Sequence, residues 1–220
     1  MQQPVILARG HWAAECVRAR WSEEHYQPPE TNARAADAAI AALRERGSPS
    51  HDGLSARLVA HAVRGGELLL ELQPVRWALR LVEGDASQSM AALTVTRAAD
   101  GRWLAGRRSA WLSSWPGRWA LGAGGAVDLG ESPADTLTRE LDEEWALQPE
   151  RLTVEALVCL PHQLVMVVGL AWLADGAQAQ IEMDDEHDAY AWWPAEVADW
   201  PDEADEPLRR MAGLLVAHNA

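Results

Sequence analysis

The sequence predicts a mixed α/β sandwich, and three observations predict it. Short apolar runs with strand character recur along the chain, one amphipathic helix stands among them at 133–146, and a second helical segment closes the chain at 203–218. The chain has 220 residues, enough for one large domain or a core domain with a smaller addition. Its hydrophobic fraction of 48% is sufficient to bury a sizeable core.

Residues 5–8 and 15–19 read as short strands. The Ala-rich run 31–46 is helical and stops at Gly47. Residues 58–63 and 67–75 flank Arg64-Gly65-Gly66 in the pattern of a hairpin, and 77–82 adds a third strand. The polar stretch 84–89 is the predicted boundary, giving an N-terminal α+β extension over 1–85 and a second domain over 86–220. Beyond it, 91–97 and 102–108 enclose the hairpin turn Ala99-Asp100-Gly101. Residues 119–128 combine a strand with a Gly-rich loop. The helix at 133–146 opens with Ser132 as N-cap and Pro133 at its first position. Strands at 152–160 and 163–173 surround Pro161-His162, and no internal repeat or low-complexity segment interrupts the pattern.

The net charge of −14 argues against binding to duplex nucleic acid, which demands an excess of basic residues. It suits an enzyme whose anionic substrate is met by bound cations. All 19 basic residues are Arg, and Trp (12 residues) replaces the absent Phe as the aromatic packing residue. Cys16 and Cys159 match no metal-ligand spacing. The first residues lack the apolar stretch of a signal peptide, and the apolar run 164–173 is too short to span a membrane, so the expected location is the cytoplasm.

The most informative segment is Arg139-Glu140-Leu141-Asp142-Glu143-Glu144-Trp145. At about 100° per residue, Glu140, Glu143 and Glu144 fall within roughly a quarter-turn of one another. Ala134, Leu137, Leu141 and Trp145 form a separate stripe, the predicted core face. Like charges at this spacing cost a helix roughly 0.2–0.5 kcal/mol per pair, and the macrodipole disfavours anions in its C-terminal half. Arg139 offsets part of this through Glu143. A hard divalent cation would reverse the balance, since Mg²⁺ and Mn²⁺ prefer carboxylate oxygens. On the helix alone, a solvated acidic face explains the pattern equally well.

The preceding loop, Gly122-Ala123-Gly124-Gly125-Ala126-Val127-Asp128-Leu129-Gly130-Glu131, decides between the two readings. Gly125, five residues, Glu131, seven residues, then Arg139-Glu140-Leu141-Asp142-Glu143-Glu144-Trp145-Ala146-Leu147 resembles the Nudix box. That motif reads Gly-x5-Glu-x7-Arg-Glu-U-x-Glu-Glu-x-Gly-U, with U aliphatic, and only its last Gly is missing, replaced by Ala146. Ala in a left-handed turn costs on the order of 1 kcal/mol; the alternative is a helix running on to Leu147 and stopping before Pro149. The resemblance covers roughly residues 90–200, including 101–109, 115–119 and an acidic loop at 185–194 leading into a Trp-containing strand.

The resemblance implies an α/β/α sandwich around a mixed sheet, and a hydrolase that uses Mg²⁺ or Mn²⁺ to cleave the diphosphate linkage of a nucleoside diphosphate joined to another group. It implies metal coordination by Glu140, Glu143 and Glu144, with the Gly125 carbonyl alongside. Glu131 is either an outer ligand or a partner for Arg139, which orients the carboxylates. Glu186 is the candidate additional ligand or general base, although its acidic neighbours Asp184, Asp185 and Asp188 allow a merely solvated loop. His187 reads as structural. Arg107 and Arg108 either meet a phosphate or pair with surface acids, and Trp111 and Trp115 either stack on a base or pack. The layout of residues 1–85 is similar to Nudix enzymes that hydrolyse UDP-sugars; ADP-ribose, dinucleotides and modified nucleoside triphosphates stay open as substrates. A non-catalytic Nudix sensing module normally loses box carboxylates, whereas this chain keeps them. The expected partner is a small-molecule nucleotide, with no duplex and no membrane; the oligomeric state, a homodimer included, is left open.

Overall fold

The computed structural model describes residues 3–48, 50–112 and 114–217. Eleven strands are distributed over two sheets. In chain order they are β1 (Val5–Ala13), β2 (Val17–Trp21), β3 (Leu54–Arg64), β4 (Glu67–Arg76), β5 (Met90–Arg97), β6 (Trp103–Arg108), β7 (Trp119–Leu121), β8 (Ala123–Ala126), β9 (Arg151–Cys159), β10 (Val165–Trp172) and β11 (His187–Trp193). The helices are α1 (Glu30–Glu45), α2 (Pro133–Trp145) and α3 (Glu206–Val216). The predicted last residue of α3, His218, lies outside the described residues. None of the helices is long and apolar enough to cross a membrane among the described residues.

The large sheet has the order β1-β9-β10-β5-β6-β11, with β7 paired to β6 and β8 to β5. It is mixed because β10 runs parallel to β5, Val165 opposite Met90 through Trp172 opposite Arg97. Strand β10 shows how the layers form. Val167 and Ala171 pack on the α2 side, where Gly169 also touches Leu137, while Val168 and Leu170 face the cluster holding Leu208, Ala212 and Leu215 of α3. The period-two alternation of a strand thus seats one helix on each face, the α/β/α sandwich that the sequence predicts.

The small sheet, β2-β4-β3, packs on the α2 side. Leu68, Leu70 and Leu72 of β4 share one buried cluster with Leu137 and Val127. Strand β3 is tied to the large sheet by backbone bonds from Ala56 N–H to the Val127 carbonyl (2.7 Å) and from Leu58 N–H to the Gln88 carbonyl (3.0 Å). The predicted boundary near residue 85 is therefore not a gap in packing: β1 pairs antiparallel with β9 and forms an edge of the large sheet.

One predicted strand is absent. Residues Trp77–Leu81 form a 3-10 turn. Its first turn is held by Asp52, whose Oδ1 accepts from the Ala78 N–H at 2.9 Å, while Trp77 N–H donates to the Gly53 carbonyl at 2.8 Å. Ala78, Leu79 and Val82 then bury against Ile40 and Leu43 of α1, a spacing an extended strand would split between two faces.

Candidate active site

Helix α2 begins where the sequence places it. The Ser132 side chain accepts from the Ala134 N–H, and the Asp135 carboxylate accepts from the Ser132 N–H, which satisfies two of the free donors of the first turn. Ala134, Leu137, Leu141 and Trp145 are buried, as the stripe predicts. Trp145 donates through Nε1 to the Gly122 carbonyl at 3.1 Å. Gly122 has φ 64°, and a Cβ there would collide with the Thr94 carbonyl oxygen, so only glycine lets this loop lie on β5.

The helix ends in a left-handed residue and does not run on to Leu147. Ala146 adopts φ 52° and ψ 35°, with its N–H donating to the Asp142 carbonyl at 2.8 Å. Leu147 N–H reaches back to the Leu141 carbonyl (3.4 Å), and its side chain buries beside Leu141 and Trp145. That apolar contact offsets the strain of a non-glycine residue at the turn.

Opposite the core stripe, Arg139 gathers three carboxylates. Its Nε donates to Glu131 Oε1 at 2.8 Å, one terminal nitrogen donates to Glu140 Oε1 and Glu143 Oε2, both at 2.8 Å, and the other reaches Glu131 Oε2 and the Ala126 carbonyl, both at 3.1 Å. Hydrogen bonding to Glu131 first, and then the charges of Glu140 and Glu143, hold the guanidinium above the ordinary arginine pKa despite partial burial. Glu131 pairs with Arg139. Both its oxygens are engaged, and Thr136 and the Asp128 N–H add further bonds. Burial opposes its charge, yet these donors outweigh burial and hold its pKa below the usual range.

Glu140 and Glu144 are buried, whereas the Glu143 side chain is 58% exposed at the cleft edge. Burial pushes Glu140 up to about 7, against the pull of Arg139 and with the charges of Glu143 and Glu186 adding to the rise. Glu144 is raised well above the carboxylate range, chiefly by burial and then by Glu140 and Glu186, although the Gly124 N–H donates to its Oε1 at 3.0 Å. Its other oxygen has no hydrogen-bond partner, and His187 Nε2 stands 3.9 Å away. Gly125 packs directly on Glu140; a Cβ there would overlap the carboxylate.

Glu186 reaches this site because the acidic loop is stitched to the end of α2. Glu182 N–H donates to the Trp145 carbonyl (3.0 Å), Asp184 N–H donates to the Glu144 carbonyl (3.1 Å), and Asp184 Oδ1 accepts from the Glu186 N–H (3.0 Å). Glu186 lies 3.4 Å from Arg108. His187 is buried against the Trp145 ring with Nδ1 3.2 Å from Asp184, a structural residue as predicted. Arg107 pairs with Asp188 at 2.6 Å, away from any phosphate role, while Arg108 lines the cleft. Trp111 donates to the Asp185 carbonyl at 3.2 Å, and Trp115 stacks with Arg118.

The resulting cleft has a volume of about 500 Å³. Glu140 and Glu143 of α2, with Glu186 and Arg108, line it, and Trp77 and Arg80 of the N-terminal segment add a second wall. Reading 77–82 as a strand concealed that second wall. In a 3-10 turn, residues 77 and 80 eclipse on one side, and that spacing was the available signal.

A helix of buried and rim carboxylates on an α/β/α sandwich, entered through a Gly-rich loop, defines a Nudix domain. The family profile described as "NUDIX domain" matches residues 88–212, and the chain belongs to the Nudix hydrolase family. Among solved structures it is similar to a MutT Nudix hydrolase from Burkholderia pseudomallei (23% identity, 58% of this chain and 97% of that one, TM-score 0.44). It is also similar to a MutT protein from Methanosarcina mazei Go1 (19%, 60% and 94%, TM-score 0.43) and to an Ap4A hydrolase from C. elegans (20%, 59% and 96%, TM-score 0.42). No curated protein matches the chain.

Proposed function

We propose that this protein hydrolyses the diphosphate linkage of a nucleoside diphosphate joined to a second group, in the cytoplasm and with a divalent metal held by Glu140, Glu143 and Glu144. One observation carries the reading: buried Glu140 of α2 lines a cleft that also presents arginine, and buried Glu144, one turn on, keeps an oxygen with no hydrogen-bond partner. Buried carboxylates without cations are costly, and hard oxygen donors are what Mg²⁺ and Mn²⁺ take. Among the described residues no three acidic or imidazole groups close on a single point, because Arg139 draws Glu140 and Glu143 toward itself. The donor set and the unpartnered Glu144 oxygen nevertheless fit a hard cation. When bound, the metal neutralises the diphosphate and lowers the pKa of the attacking water.

The chain's own groups divide the remaining work. Arg139 and Glu131 orient the ligand carboxylates. The Gly125 backbone, bare of a side chain, leaves room for Glu140. Glu186 is assigned the role of general base or additional ligand, since it lines the same cleft as Glu140 and Glu143. The N-terminal segment supplies a wall of the cleft and is assigned substrate selection, with UDP-sugars as the first candidates. The test is a screen of UDP-glucose, UDP-galactose, ADP-ribose, dinucleotides and nucleoside triphosphates with Mg²⁺ and with Mn²⁺. UMP and sugar 1-phosphate are the expected products. A kcat/KM for UDP-glucose well below that for ADP-ribose rejects the UDP-sugar assignment, and no turnover of any member rejects the hydrolase reading.

A further inference from the structure

We infer that Arg80, contributed by the N-terminal segment, grips the diphosphate of the substrate in the cleft that Glu140 and Glu143 of α2 also line. The inference rests on the hydrolase reading above and adds a residue that the Nudix box does not contain. Arg80 is half-buried in the cleft and, among the described residues, its guanidinium has no hydrogen bond and no ion pair. Its Cζ lies 5.5 Å from the centre of the Trp77 ring. The other shielded arginines are satisfied: Arg97 by the Gly101 carbonyl, Arg139 by three carboxylates, Arg209 by four backbone carbonyls. A guanidinium carries five donors in a planar fork, and leaving it shielded and unpaired is costly unless a ligand completes it.

The surroundings specify the ligand. The nearest carboxylates are spoken for: Glu140 accepts from Arg139 at 2.8 Å, and Glu186 faces Arg108 at 3.4 Å. Burial pushes Arg80 below the ordinary arginine pKa; the charges of Glu140 and Glu186 oppose that fall and the charge of Arg108 adds to it. Arg80 and Arg108 thus present two guanidiniums to one space. His162, on the turn between β9 and β10, also lines that space, and burial followed by the charge of Arg80 lowers its pKa, keeping it neutral. An isolated anion would be repelled by Glu140, Glu143 and Glu186. A diphosphate accompanied by divalent cations meets both halves: the cations at the carboxylates, a phosphate edge at Arg80. Arginine suits this task because its fork matches two phosphate oxygens at once.

The backbone that carries Arg80 is also held in advance. Its neighbours Ala78 and Leu79 are fully buried, and Asp52 accepts both from the Ala78 N–H and from Arg76. The segment therefore needs no ordering of its backbone at the moment of binding.

The test uses the whole protein and the non-hydrolysable probes α,β-methylene-UDP and α,β-methylene-ADP with Mg²⁺, titrated calorimetrically against wild type, Arg80→Met and Arg80→Lys. Loss of charge-assisted hydrogen bonds predicts about 10- to 100-fold weaker binding in Arg80→Met, an intermediate loss in Arg80→Lys, and unchanged Mn²⁺ affinity in both. Turnover should show the loss in KM more than in kcat. Equal probe affinity in wild type and Arg80→Met, or no probe binding by wild type, overturns the inference. Failure of the hydrolase reading appears separately, as probe binding that depends on Arg80 without turnover of any substrate.

Discussion

Neutralising Glu140 should change how stability responds to pH, and the magnitude follows from its burial. Its carboxyl is pushed from 4.5 to about 7 in the folded chain. Between those values the folded chain holds a proton that the unfolded chain has released, so stability falls as pH rises across the interval. Below pH 4.5 the contribution is fully present, and above about 7 it is lost. At 1.36 kcal/mol per pKa step, the loss is roughly 3 kcal/mol, equivalent to a drop in Tm of about 6–12 °C for a chain of this size. The assay is thermal unfolding in EDTA from pH 4 to 8.5, wild type against Glu140→Gln. The difference between the two curves reads Glu140 together with the carboxylates coupled to it, Glu144 above all. Millimolar Mg²⁺ or Mn²⁺ should flatten the wild-type curve, because binding to the native state adds RT ln(1 + [L]/Kd). A metal-free wild-type curve that stays parallel to that of Glu140→Gln would refute the claim that this carboxyl is buried against its own charge.

Three further outcomes are expected. Ala146→Gly relieves the left-handed strain at φ 52° and should raise stability by up to about 1 kcal/mol without affecting turnover; a lower Tm would mean that the Leu147 contact does not hold the turn. Gly125→Ala should displace the Glu140 carboxylate and weaken Mn²⁺ binding by about 10- to 100-fold, as read by calorimetry. Glu143→Gln and Glu144→Gln should each lower turnover by orders of magnitude, but only the buried Glu144→Gln should raise metal-free stability at pH 8, since Glu143 lies in solvent.

The parts of the fold that the sequence discloses are those written in local chemistry. Helix α2 is legible because its core stripe, its Ser132 cap and its carboxylates all follow one period within a single segment. The β5–β6 turn is legible because Asp100-Gly101 supplies the backbone it needs, with Gly101 at φ 86°. The order of the sheet is not, since β1 on β9 and β10 beside β5 depend on contacts between distant segments. The 77–82 run fails for a related reason: its apolar residues suit a strand locally, and only Asp52 and α1, both distant in sequence, make a turn of it. Glu131 is a box residue in the motif, but spacing alone cannot say whether its oxygens face a cation or Arg139. Arg80 was missed because no motif marks it in the sequence; its meaning comes from the cleft it lines.

The carboxylates of α2 sit where the helix dipole is least favourable to them, and the fold answers this with backbone as well as with Arg139. The Gly124 N–H stands on Glu144, so the Gly-rich loop brings a donor to the very group the dipole repels. At the helix exit, where carbonyls point outward and strengthen the local negative field, the N–H groups of Glu182 and Asp184 bond the carbonyls of Trp145 and Glu144. These bonds have a second effect. By capping the helix they fix the start of the acidic loop, and Asp184 then turns the chain so that Glu186 faces the same cleft. Helix termination and delivery of the loop carboxylate are thus one construction. A change that loosens the cap, such as Asp184→Ala, should therefore misplace Glu186 before it unfolds α2, and the signature is a loss of activity that precedes any loss of Tm.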